Sequence, residues 1–458
     1  MQRLFTKIKL SVVCLAFAGV ANAQMLTMPA MDSASDFKPT GRIWGYAFGD
    51  YAYKGGADVP VGGGAYRDAA NQYNGMAANA SQFQFRRVYL GYNYDISPKF
   101  TAEFLLASED DFNSSLSNTT STGDVLSDGK FAPYVKYANL KWKNIFKNSD
   151  LKIGQQATPS FAKTDRNEQT AEEVWGYRAI ERTISDIRRT PSFDMGASLQ
   201  GWFNNSGTFG YMIMVGNGSS AKPDASTFKQ FTGDIFAKFM NKRLVMDLFQ
   251  DYQKLNWGVF VKGPNGAQYA DRNMTKLFVA WNTPKLTVGF EGFQNTICGG
   301  IKVSGNDKNT YYRTLHAMGT SFYVRGRILS ASNGDPKLNF FARYDNYDPS
   351  GNLSNIVDEP EFNKAGGTYS AVVSNYDPTT KEQFVTMGID WMPVKNVHFM
   401  PNIWLNTYAS SLSSTGMNNN KVMYNTMNTQ IAPGTGEDLV YRLTFYYVYN
   451  PKKGTTVY

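Results

Sequence analysis

The chain has 458 residues, 46 Lys and Arg against 38 Asp and Glu, a formal charge of +8 and two cysteines. Bases and acids are interleaved, which excludes a nucleic-acid surface, and no apolar run beyond the N-terminus reaches the roughly 20 residues of a spanning helix. Mean hydropathy is negative, yet aromatics make up 15% of the residues, with 28 Tyr and 31 Phe. That pairing fits a secreted all-β protein or a membrane β-barrel whose wet and lipid-facing residues average out.

Arg3, Lys7 and Lys9 lead into an apolar run over 10–20, followed by the small-residue site Ala21-Asn22-Ala23. This reads as a secretory signal peptide over 1–23, with Gln24 the first mature residue. Cys14 lies inside the run and not after a cleavage site, which argues against a lipid anchor. Loss of 1–23 removes three positive charges and leaves +5, with Cys298 the single thiol, so no disulfide framework is expected. Residues 24–39, rich in Met, Ser and Asp, read as a short periplasmic tail.

From residue 40 to 458 the chain alternates with period two. FTAEFLLA (100–107) sets Phe100, Ala102, Phe104 and Leu106 opposite Thr101 and Glu103. RLVMDLFQD (243–251) sets Leu244, Met246 and Leu248 opposite Arg243, Asp247 and Asp251. LVYRLTFYYVYN (439–450) sets Leu439, Tyr441, Leu443 and Phe445 opposite Arg442 and Thr444.

Short connections rich in Pro, Gly, Asn or Asp fall at 95–99, 144–150, 204–207, 241–242, 283–285, 330–335 and 393–396. Long polar segments fall between them, at 50–81, 109–132, 157–194, 217–227, 254–271, 297–311, 348–380 and 410–436. Seven short turns alternating with eight long loops predict sixteen strands. The expected fold class is all-β, a transmembrane antiparallel β-barrel of 16 strands, with short periplasmic turns and long extracellular loops. Tyr92, Tyr94, Trp142, Trp281 and Trp391 flank apolar faces as interfacial girdles do.

The third long loop, 157–194, concentrates charge in WGYRAIERTISDIRR (175–189). Thr170 with Glu173 makes a capping box ahead of a short helix, with Arg178 and Arg182 one turn apart. Two roles compete: a solvated loop over the mouth, or a constriction inside the lumen where opposed charges set a transverse field. On the second, Arg166, Arg178, Glu181, Arg182, Arg188 and Arg189 constrict the pore.

ERTISDIRRTPSFDMGASLQGWF (181–203), with Glu181-Arg182 and Asp194-Met195-Gly196, and LGYNYDISPKFTAEFLL (90–106) resemble segments of the phosphate-selective porin O/P family of Gram-negative outer membranes. The resemblance implies a trimeric sixteen-stranded channel, a third loop folded into the barrel and passage of small hydrophilic solutes, phosphate-like anions among them.

A charge facing mid-bilayer lipid costs about 2–4 kcal/mol, so strand charges are expected to face inward. The expected inward bases are Arg42, Arg87, Lys136, Lys152, Lys238, Arg243, Lys276, Arg325, Arg327, Arg343 and Arg442. The expected inward acids are Glu103, Asp234, Asp247, Glu291, Asp345 and Asp390, which leaves an excess of five positive charges and a mild anion preference. Arg325 and Arg327, two apart, are candidates for an anion track or for structural ion pairs in the wall.

No nucleophile, base and orienting group assemble around His316 or His398, so no enzyme is expected. No cofactor is implied. DNYDPSGN (345–352) offers Asp345, Asp348 and Asn352 to calcium, but an Asx turn accounts for it better, so no metal is expected. The expected partners are outer-membrane lipid, small solutes or anions, and like subunits in a homotrimer, with no nucleic acid. The rival expectation is a barrel with a closed lumen that serves as a surface binding or adhesion protein.

Overall fold

The computed structural model describes residues 37–56, 79–109, 133–160, 185, 192–220, 228–255, 261–263, 266–268, 271–304, 310–349, 351, 368–371, 380–410, 423–424, 430–431 and 436–449. Residues Pro39–Tyr458 form one compact unit. Its strands are β1 (Thr40–Gly56), β2 (Ser81–Asp95), β3 (Phe100–Glu109), β4 (Tyr134–Phe146), β5 (Ser149–Ala157), β6 (Phe193–Trp202), β7 (Phe209–Gly216), β8 (Gln230–Phe239), β9 (Leu244–Lys254), β10 (Val261–Gly263), β11 (Gly266–Gln268), β12 (Asp271–Asn282), β13 (Leu286–Ser304), β14 (Thr310–Ser330), β15 (Pro336–Asp348), β16 (Thr368–Ala371), β17 (Thr380–Val394), β18 (Val397–Ser410), β19 (Met423–Tyr424), β20 (Gln430–Ile431) and β21 (Gly436–Tyr449).

Sixteen of these make the wall, every neighbour antiparallel. β1 to β9 pair in order. β12, β13, β14 and β15 follow β9, then β17, β18 and β21. β21 returns to β1 from Gly45↔Tyr449 to Gly56↔Leu439 and closes the ring. Closure satisfies every ladder without an edge, which is what a sheet needs in lipid. The short strands lie off the wall: β10 and β11 form a ribbon, and β16 lies against β13 and carries β19 and β20.

The seven short connections join the hairpins as the turn residues predict. Asn148, Gly207, Asn241, Gly334 and Asn396 take φ between 56° and 85° there, the left-handed region that Asn and Gly tolerate. Two long segments are shorter than expected. β1 runs to Gly56 because Asp50, Ala52 and Lys54 alternate with Tyr51 and Tyr53, which continues the wall. β13 and β14 extend through most of 297–311 and leave 305–309 between them.

The polarity is inverted relative to a water-soluble sandwich. On β21 Tyr441 is 49% exposed while its neighbour Arg442 is 5%. On β17 Ile389 is 41% exposed while Asp390 is 0%. Apolar side chains face out and charges face in, the arrangement that lipid outside the barrel demands.

Candidate pore lining and constriction

The inner wall divides into two charge sectors. β1, β2, β4 and β21 carry Lys54, Arg86, Arg87, Lys136 and Arg442, all buried. Asp50 on β1 anchors this side: its Oδ2 lies 3.1 Å from Arg86 and 3.6 Å from Arg442, and Thr444 donates to its Oδ1 at 2.5 Å. Arg442 also donates to Asn402 at 2.8 Å and sits 4.3 Å above the Trp404 ring. Arg86 lies 5.8 Å from the same ring, and Phe384 packs on it at 4.8 Å. Lys54 pairs with Asp438 at 3.1 Å. Toward the long-loop end, Glu109 holds Lys136 at 2.5 Å and accepts from Tyr89 and from Tyr134.

Arg86 reaches the lumen through a bulge. Phe48 pairs with Arg87 but Gly49 pairs with Phe85, so Arg86 is the extra residue. A bulge re-aims one side chain, and here it turns two successive arginines inward.

The other sector lies on β8, β9, β12 and β13, eight strands from the first in a ring of sixteen. Asp234, Asp247, Asp251 and Glu291 are buried there with Lys238 and Lys276. Lys276 stands 3.6 Å from Glu291. Both groups of this pair reach the third long loop. Lys276 donates to the Ser160 carbonyl at 2.7 Å and to its hydroxyl at 3.1 Å. The Ser185 amide donates to Glu291 at 3.3 Å, and Ser185 is fully buried. Ser160 follows β5, five wall positions from β12, so its contact with Lys276 crosses the interior instead of following the wall.

Of the expected lining residues, Arg87, Lys238, Arg325, Arg343 and Arg442 are buried on the inner face. Arg325 donates to Thr287 at 2.8 Å and Arg343 grips Asp345 at 2.6 Å. Arg243 is exposed in the turn between β8 and β9, because the chain leaves the wall at Phe239. Arg327 bends to its own hairpin and donates to the Gly334 carbonyl at 3.1 Å, so Arg325 and Arg327 do not form one track. Arg166, Arg178, Glu181, Arg182, Arg188 and Arg189 lie outside the described residues.

The calcium candidates do not converge. Asp345 is on β15, bound to Arg343 and Ser321, and Asp348 pairs with Lys381 at 3.0 Å. Asn352 lies outside the described residues, and among the described residues no group of three or more potential ligands gathers. His398 packs against Tyr446 with the rings tilted by 38° and bonds Asp390 at 3.0 Å as part of the wall.

The expected positive excess is absent from the buried charges. Among the described residues ten bases are buried (Lys54, Arg86, Arg87, Lys136, Lys152, Lys238, Lys276, Arg325, Arg343, Arg442) against eleven acids (Asp50, Asp150, Asp194, Asp234, Asp247, Asp251, Glu291, Asp345, Glu382, Asp390, Asp438). Asp50 and Lys54 escaped because the sequence places 50–81 in a loop. A signal for Arg86 was present: outward Phe83 and Phe85 are followed by outward Val88 and Leu90, and that change of parity requires a bulge.

No protein-family model matches the sequence, and no curated protein matches it. Solved structures do resemble it. The outer membrane channel DcaP of Acinetobacter baumannii is similar with a TM-score of 0.52 at 10% identity, covering 90% of this chain and 97% of that one. An anion-selective porin from Comamonas acidovorans gives 0.49 at 11% identity, with 90% and 100% covered. OmpF of Salmonella typhi, in complex with daunomycin, gives 0.48 at 11% identity, with 89% and 97% covered. The chain has the fold of an outer-membrane channel.

Proposed function

We propose that this chain is a pore of a Gram-negative outer membrane that lets small hydrophilic solutes diffuse passively. The observation that carries the reading is the pair of opposed charge sectors inside a closed barrel with an apolar exterior. A lumen lined this way orients dipolar solutes and passes hydrated ions. Small anions, phosphate-like ones included, follow the arginine side, and cations follow the Asp234, Asp247 and Glu291 side. The contacts of Ser160 and Ser185 with Lys276 and Glu291 support a constriction built by 157–194. Export through the 1–23 signal and assembly as a homotrimer complete the reading.

The test is single-channel recording of refolded protein in a planar bilayer under a salt gradient. Steady conductance is expected, with a small reversal potential because the buried charges nearly balance. Silence from a correctly folded barrel overturns the pore and favours a closed surface protein.

A further inference from the structure

We propose that the short-turn end of the barrel is a docking ring for the phosphate headgroups of anionic phospholipids; this rests on the reading of the barrel as membrane-spanning. Six exposed bases stand at that end, on five hairpins spread around the ring. They are Lys147 between β4 and β5, Lys242 and Arg243 between β8 and β9, Lys285 between β12 and β13, Lys337 at the start of β15, and Lys395 between β17 and β18. Asp335 is the single exposed acid there among the described residues. The other two acids of this end are engaged: Asp95 takes Lys143 at 2.8 Å, and buried Asp150 accepts from the Asn144 amide at 2.7 Å.

The position of these bases selects the partner. Several border a large apolar residue that is also exposed: Met240 at 65% beside Lys242 and Arg243, Leu286 at 41% beside Lys285, Val394 at 61% beside Lys395. The apolar outer face therefore runs down to the turns and stops at the bases. This is the level where hydrocarbon gives way to headgroups, and a lysine there lays its stem on the apolar layer and extends its ammonium outward. A base beside an anionic leaflet gains about fivefold in relative affinity, an effect that salt removes. Carboxylates of a cell-wall polymer would have no use for the adjoining apolar residues.

The experiment uses the full chain in phosphatidylcholine vesicles containing either brominated phosphatidylcholine or brominated phosphatidylglycerol, read by quenching of tryptophan fluorescence. Trp391, 47% exposed, and Trp281 lie four residues before Lys395 and Lys285 respectively and report on lipid at this level. The brominated anionic lipid is expected to reach half-quenching at about a fivefold lower mole fraction at low salt. The difference is expected to vanish at high salt and to shrink in Lys285→Gln/Lys395→Gln, which removes two of the six bases. Equal quenching by both lipids at low salt, or a preference undiminished in the variant, overturns the ring while the membrane barrel stands. Quenching by neither lipid overturns the membrane reading and the ring with it. Salt-sensitive cosedimentation with purified peptidoglycan, without a lipid preference, reassigns the ring to the cell wall and overturns the proposal.

Discussion

Asp50→Ala is the sharpest test of how tightly the buried ion pairs hold the arginine side of the wall together. The Asp50 carboxylate is fully buried and holds Arg86 and Arg442, whose side chains are 0% and 2% exposed. Its removal leaves two guanidinium groups without their shared counterion, and breaking a buried pair from one side costs about 3–5 kcal/mol. Arg442 keeps Asn402 and the Trp404 ring, which places the expectation at the lower end, about 3 kcal/mol. The assay is urea unfolding of vesicle-inserted protein, followed by tryptophan fluorescence, for Asp50→Ala, Arg442→Met and the double variant. The double variant should lose less than the sum of the singles, because the second change removes the charge that the first one orphaned. A loss below about 1 kcal/mol for Asp50→Ala would mean that water screens this network and that the wall charges act as surface charges.

Three further outcomes follow from the geometry. Arg325→Glu should move the reversal potential toward cations, whereas Arg327→Glu should leave it nearly unchanged, since that guanidinium serves the Gly334 carbonyl at the hairpin end. Glu291→Gln should raise single-channel conductance or add flicker, because it weakens both the hold on the Ser185 amide and the pair with Lys276; an unchanged trace would detach 157–194 from the constriction. Gly154→Ala should cost more than about 1 kcal/mol, read as a lower unfolding midpoint: Gly154 has φ +122° and an added Cβ would lie 2.3 Å from the Ala138 carbonyl oxygen.

The barrel was legible in the sequence because two independent patterns agree. Alternation gives each strand its faces, and turn chemistry gives the hairpins their ends, so all seven short turns fell where Asn, Gly and Pro cluster. The inner surface was less legible. Charge alone says that a strand residue faces inward, but not whether the strand reaches that far. Arg243 failed on this point, and so did Asp50 and Lys54, which a long β1 brought into the wall. Bulges are a second source of error, since a single extra residue exchanges the faces, as at Arg86. The contacts of Ser160 and Ser185 join positions more than 100 residues apart, and no local pattern reports such pairs.

The interior bases are held by interior acids: Arg86 by Asp50, Lys136 by Glu109, Lys276 by Glu291, Arg343 by Asp345. A passing ion then meets oriented pairs more than net charge, and selectivity depends on which member of each pair the solute approaches. Arg343 and Asp345 allow this to be tested, because two hydrogen bonds join them within one strand, at 2.8 and 2.6 Å. Arg343→Gln should shift the reversal potential toward cations and Asp345→Asn toward anions. The double variant should return close to the parent, since it removes a pair and not a charge. If the double variant behaves like Arg343→Gln alone, Asp345 is silent to solutes, Arg343 acts as a lone cation in the path, and counting bases becomes the better guide to selectivity than reading pairs.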